Sequence, residues 1–349
     1  MTLNVVPCRV RDEWDAAVDS QQGHPMQLWG WGETKAAHNW RVDRVLVLED
    51  GELVGSAQIL LRPLPFPFRS LAYLPRGPQA EAGREIEVLA AVGRYVKATH
   101  KSVALSIEPD WEAGSVAVAS LPAAGWARSA TTILIPRTLI LDLGRSDDEL
   151  MAAMSKSTRA NVRKSLRSEV EFRKVETADE REQVLAIYRE TADRAGFGIH
   201  EDAYYSDIAR FLGEASPIVA AFDGDRVLAF VWLARSGHTA FELYGGVNAE
   251  GQKQRVNYGV KWAAFTLMRA DGCTRYDFNG LLNDGISDFK KQFADHEDML
   301  AGSWDLGLSP LYPLFAKALP MGRKALKKAR TSMTKARTSL KKARGILKR

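Results

Sequence analysis

An α+β fold made of two similar domains in tandem is what this sequence predicts, and three observations carry the prediction. A β-hairpin pattern occurs twice, a helical pattern follows each hairpin by about 30 residues, and each helix leads into a short apolar strand. The same order at the same spacing argues against a doubly wound or barrel chain, in which strands and helices simply alternate.

The elements follow in order. In the first half the apolar run 44–48 meets Glu49, Asp50 and Gly51 and then the run 53–61. In the second, 218–222 meets Asp223, Gly224 and Asp225 and then 227–233. An Asp-Gly pair between two apolar runs is the usual short signal of a hairpin, because the turn needs positive φ. Ile86, Leu89, Val92 and Val96 recur at helical spacing, as do Val260, Ala263, Ala264, Leu267 and Met268. Strands 102–107 and 274–278 close the two units. Residues 146–171 read as the crossover, helical over 154–166, with Lys156, Arg159, Arg163 and Arg167 three or four apart on one face. The predicted boundaries are 1–145 for the first domain, 146–320 for the second and 321–349 for a tail.

Composition bounds the function classes. With 349 residues, 46% apolar and 26% charged, the chain has the make-up of a globular protein large enough for two cores. Cys8 and Cys273 lack partners at disulfide-scaffold or metal spacing, so no metal and no cofactor are expected, and a reducing cytoplasm is the default. No cationic-then-apolar leader opens the sequence and no run of about 18 apolar residues occurs, so neither classical export nor a membrane span is expected. The net charge of +5 conceals a division: residues 322–349 hold twelve Lys and Arg and no acid, leaving the remainder near −7. Leu326, Ala329, Met333, Ala336, Leu340, Ala343 and Leu347 form a thin stripe within this predicted basic amphipathic helix. Three readings stay open for it: an interfacial helix on anionic lipid, a nucleic-acid contact, and a solvated terminus.

No G-x-S-x-G elbow and no phosphate-binding G-x-x-x-x-G-K-[ST] loop occurs, which removes the commonest routes of serine acyl transfer and ATP-driven ligation. Five other stretches stand out. Gln27, Trp31 and Lys35 fall at four-residue intervals, which would place them on one helical face. Residues 194–205 bring Arg194, His200, Tyr204 and Tyr205 together. Tyr244 precedes Gly245 and Gly246, a strand end at which a ligand can approach the backbone. Tyr276 to Gly280 reads as a strand end feeding a loop, followed by Phe289, Lys290, Lys291, Gln292 and Phe293; an aromatic beside a cation suits both a phosphate and an unstacked adenine. Glu108 sits at the matching strand end of the first half. Each has a structural alternative: Trp31 and Phe293 as core aromatics, Tyr244 as a buried strand tyrosine, Lys35 and His200 as surface groups.

The 27–35 and 276–293 stretches together resemble the signature of the Fem-type aminoacyltransferases, which build the interpeptide bridges of bacterial peptidoglycan. The resemblance implies a tandem pair of acyl-CoA N-acyltransferase (GNAT)-like domains, here without the coiled-coil insertion many members carry. It implies transfer from an aminoacyl-tRNA to the side-chain amine of a precursor stem peptide, with oriented ester and amine and a stabilised oxyanion rather than a covalent intermediate. On its terms Lys290 is the key site cation and Glu108 an acidic site residue, grouped as catalytic. Lys35, His200, Tyr204, Tyr244, Phe289 and Arg194 bind substrate; His200 stands where relatives have arginine and lacks its bidentate fork. Lys156, Arg159, Arg163 and Arg167 would meet tRNA or phosphate. Residues 254–259 do not match the GNAT pyrophosphate loop, which disfavours acetyl-CoA. The expected partners are aminoacyl-tRNA, a lipid-linked peptidoglycan precursor and the anionic inner leaflet, for a monomer at the inner face of the plasma membrane. A thioester-dependent N-acyltransferase and a noncatalytic RNA- or membrane-binding protein are the competing readings.

Overall fold

The computed structural model describes residues 3–318. The tail 321–349, with its expected basic helix, lies outside the described residues.

Both predicted units form. In the first sheet the spatial order is Asn4–Pro7, Arg41–Glu49, Glu52–Pro63, Ser70–Pro75, Ala104–Glu108, Trp304–Gly307 and Ala127–Arg128, with Gln79–Ala80 beside Glu52–Pro63. In the second it is Glu171–Lys174, Ile218–Asp223, Arg226–Arg235, Thr239–Val247, Arg275–Asp277 and Ile140–Asp142. Each sheet is antiparallel except for one pair, Ser70–Pro75 with Ala104–Glu108 and Thr239–Val247 with Arg275–Asp277. A parallel pair needs a crossover, and the helices Glu85–Thr99 and Val256–Ala270 provide it. Asp50 and Gly51 both take positive φ, 51° and 94°, as the tight hairpin turn requires.

The halves exchange strands, which corrects the boundaries read from sequence. Trp304–Gly307, assigned by sequence to the second domain, pairs with Ala104–Glu108 in the first sheet. Ile140–Asp142, assigned to the first, pairs with Arg275–Asp277 in the second. Strands of four and three residues carry too little alternation to announce which sheet they join. The crossover also differs. It is two helices, Asp147–Ala153 and Lys156–Leu166, because Ser146 and Ser155 each cap a new N-terminus.

Three large apolar clusters, with a small fourth around Leu71, Val103 and Phe315, hold the described residues together. One covers a face of the second sheet beneath Val256–Ala270. Another lies between the first sheet and Glu85–Thr99, where Val88, Leu89, Val92 and Val96 are fully buried. The third joins the halves: Trp14, Val18 and Trp31 meet Val184, Ile187, Tyr205, Ile208 and Trp232. There the helix Trp29–Ala36 crosses Asp202–Leu212 so closely that a Cβ on Gly30 would strike the carbonyl of Phe211. Backbone cannot yield as a side chain can. Gly30→Ala should therefore cost about 1–3 kcal/mol, read as a lowered midpoint of urea unfolding.

Gln27 does not share the helical face of Trp31 and Lys35. It ends a 3-10 turn, Pro25–Gln27, before the helix begins. Its fully buried amide donates to Pro75 O (2.6 Å) and accepts from Gln58 N (2.8 Å), stitching this turn to two strands of the first sheet.

Candidate active site

The site follows from the shortness of one strand pair. Of the strand Thr239–Val247, Arg275–Asp277 reaches only Thr239, Ala240 and Phe241, after which the chain turns away. The edge of Glu242 to Gly246 is left facing a cleft of about 820 Å³. Tyr244, Phe289, Lys290 and Arg194 line it, together with Glu242, Lys261, Asn161, Tyr188 and Tyr258. Asn279, at φ 52°, holds the departing loop by donating from Nδ2 to Glu242 O (2.9 Å), and its own N–H donates to Asp277 (2.8 Å).

At the floor sits a buried polar network. Lys261 Nζ donates to the Glu242 carboxylate, which also accepts from Tyr276 Oη (2.7 Å). Lys290 Nζ donates to the carbonyls of Phe278 (2.5 Å) and Asn279 (2.6 Å). An ammonium has three protons, so one remains for the cleft that Lys290 lines. Burial lowers the Lys290 pKa to about 8, with the Lys261 charge adding to it against the opposing pull of Glu242, Asp277 and Asp284. Burial also lowers Lys261, although Glu242 opposes it.

A tyrosine cluster leads from the cleft to the first half. Tyr244 is hydrogen-bonded to Tyr204, which accepts from Lys35 Nζ (2.6 Å). Lys35 also lies 4.5 Å above the Trp31 ring, so these two do share a helical face. Burial first, and then the Arg62 charge, lowers its pKa to about 8. His200 stacks on Tyr204 at 4.1 Å between ring centroids. Tyr205 accepts from the N–H of His200 (2.9 Å) and packs against both Tyr188 and Tyr244. Arg194 reaches the cleft from the end of the helix Ala178–Ala195, donating to Val247 O (3.0 Å). Phe289 packs edge-on to Tyr258 at 5.1 Å, whereas Phe293 is wholly in the core.

One expectation is corrected. Glu108 is not in this cleft. Its carboxylate is buried and accepts from Tyr73, from Ser303 and from the N–H groups of Ile133 (2.7 Å) and Leu134 (2.9 Å). Four donors around one carboxylate make a structural tie between strand end and loop, with no lone pair directed at a substrate. On the crossover helix Ser157 and Asn161 line the cleft, while Lys156, Arg163 and Arg167, the expected tRNA or phosphate contacts, are exposed outside it. Arg159 donates to Met154 O (2.6 Å) and Ala152 O (3.1 Å), closing the end of the preceding helix.

Glu242, Lys261 and Tyr188 escaped the reading of the sequence. For the first two a signal existed: each is a lone charge inside an apolar run, which on a buried element demands a partner. A further ion pair joins the halves outside the cleft, where Arg275 grips Asp110 through two hydrogen bonds (2.7 and 3.0 Å). Burial pushes the Asp110 carboxyl up, but Arg275, His24 and Arg76 outweigh it and hold the group well below the usual carboxylate range. Among the described residues no cluster of metal-ligating side chains occurs, and no helix is long and apolar enough to cross a membrane.

Residues 11–120 match the FemAB family, and residues 152–291 match the family described as acetyltransferase (GNAT) domain. The chain is 24% identical over 399 aligned residues to the lipid II:glycine glycyltransferase of Staphylococcus aureus (strain MRSA252), across 88% of this chain and 94% of that protein. Among solved structures, FemX aligns with a TM-score of 0.80 at 21% identity, covering 90% of this chain and 100% of that one. A tandem GNAT protein of the clavulanic acid pathway aligns at 0.51 and 12% identity, covering 88% and 99%. The architecture is thus a tandem pair of GNAT-like domains.

Proposed function

The chain belongs to the Fem-type family, and we propose that it transfers an aminoacyl group from the ester of a charged tRNA to the side-chain amine of a peptidoglycan precursor. The amine nitrogen attacks the ester carbonyl, the C–O bond to the tRNA ribose breaks, and the proton lost by the amine ends on that ribose oxygen. An ester is already activated, so position and charge stabilisation suffice.

The observation that carries this reading is Lys290, fixed by two backbone carbonyls with its remaining N–H available to an 820 Å³ cleft. That donor suits the oxyanion formed when the amine adds. Tyr244 lies along the same cleft edge, and Tyr204 couples it to Lys35, whose ammonium suits the anionic groups of the acceptor. Arg194 adds a second cation at the rim. The S. aureus relative is named for lipid II and glycine, so a lipid-linked acceptor and a glycyl donor are the first pair to test. In this reading the protein is a monomer at the inner face of the plasma membrane, and the cationic tail 321–349 keeps it there.

A thioester donor is the second reading, favoured by the GNAT match over 152–291. Against it, residues 254–259 lack the pyrophosphate-loop pattern, and Arg255 is turned to Asn161 (2.7 Å). Competition between donors tests the two. Incubated with glycyl-tRNA, an acyl-CoA and the precursor, the protein should give a glycyl adduct that ribonuclease treatment of the donor abolishes. Acylation from the thioester alone would overturn the proposal.

A further inference from the structure

We propose that the folded body carries its own membrane-docking face, formed by the loop between strands Glu52–Pro63 and Ser70–Pro75 and a cationic depression beside it, and that its partner is an anionic bilayer.

The loop 64–69 is built rather than slack. Leu64 N donates to Arg69 O (2.8 Å), Phe68 N to Pro65 O (3.0 Å) and Ser70 N to Phe68 O (2.8 Å), and Pro65 and Pro67 restrict it further. It treats its two phenylalanines oppositely. Phe68 packs on Phe315 at 5.5 Å, whereas Phe66 is 96% exposed. A tied loop that holds a whole aromatic ring in water forgoes the gain of burying it, which marks an insertion point when charge surrounds it.

Charge does surround it. Arg69, Lys97 and Lys101 border a depression of about 420 Å³ together with Phe66, and none has an ion pair or a side-chain hydrogen bond among the described residues. No acidic residue lines that depression. Three such cations around an apolar tip match a surface of lipid phosphates over an apolar layer.

The covalent continuation points the same way. Phe315 pins residues 312–318, which are helical, against this loop, and Leu314 beside it is 55% exposed. The chain therefore leaves residue 318 next to the docking face and runs into a segment with twelve cations and no acid. Loop and tail would engage one surface together. The inference rests on the membrane-directed reading of the tail only in its choice of partner, and it is independent of donor and acceptor chemistry.

A label at position 66 separates the possibilities. Cys8 and Cys273 are both buried, so in the full-length Phe66→Cys variant an environment-sensitive fluorophore reports on the introduced thiol. Vesicles of phosphatidylglycerol and phosphatidylcholine should shift its emission to the blue, and pure phosphatidylcholine vesicles should not. In the full chain, Phe66→Ser and Lys97→Glu/Lys101→Glu should each weaken co-flotation with the anionic vesicles about tenfold. The charge-matched control Arg226→Glu/Lys253→Glu should leave flotation unchanged. Phe66→Ser should retain transfer to a soluble, nucleotide-linked acceptor. Flotation without a spectral shift would overturn the proposal, because the tail alone would then dock, and so would an absence of flotation. A clear shift from a protein that transfers nothing would uphold the docking face and remove the proposed reaction instead.

Discussion

Replacing Lys290 by methionine should lower kcat/KM for aminoacyl transfer by about 10²-fold or more, the usual loss when one oxyanion donor is removed. The measurement is steady-state transfer from charged tRNA to the precursor, with the circular dichroism spectrum as a check that the fold persists. Activity within about threefold of wild type would sink the assignment. A pH profile adds a second readout. The pKa of Lys290 is lowered to about 8, so its cation is present below that pH and lost above it. Transfer that depends on the cation should therefore decline as pH rises through about 8. Lys290→Arg, whose guanidinium does not deprotonate, should lose that alkaline decline even if its rate is reduced.

Lys261→Met should be the most destabilising single change in the cleft, by about 3–5 kcal/mol, because it leaves the Glu242 carboxylate buried without a cation. Tyr276 would be its remaining side-chain partner. Denaturant unfolding measures the loss, and Lys261→Met combined with Glu242→Gln should recover part of it, since the double change removes both charges. Recovery would establish that the penalty is the orphaned charge and not the lost lysine packing. The same substitution reaches Lys290: the Lys261 charge helps to lower its pKa, so its removal should move the alkaline decline to higher pH. A variant that unfolds like wild type would mean that the pair is not coupled to the fold.

The sequence was readable where many residues repeat one instruction. The hairpins and crossover helices each carry ten or so positions of consistent period, and both units formed in the predicted order. Trp304–Gly307 and Ile140–Asp142 were not readable, because so few residues cannot record a partner more than 100 positions away. The cleft followed the same logic. Tyr244, Phe289, Lys290 and Arg194 lie in local motifs and do line it. Glu242 and Lys261 are 19 residues apart on a strand and a helix, and only the packing of one on the other makes them a pair. Glu108 misled because a strand end is also where a fold needs carboxylates to tie down loops. Gln27 misled because a four-residue interval has no meaning before the helix has begun.

The exchange of strands also fixes when the molecule can be finished. Trp304–Gly307 lies inside the first sheet, between Ala104–Glu108 and Ala127–Arg128, and Ser106 donates to Asp305 across 199 residues of chain. During synthesis the first half therefore waits with an open edge until the second has left the ribosome, a slow, long-range closure of the kind that invites chaperones. Neither half is a separable cassette. A chain cut at the apparent midpoint would leave two incomplete sheets, each lacking a strand that the other half holds.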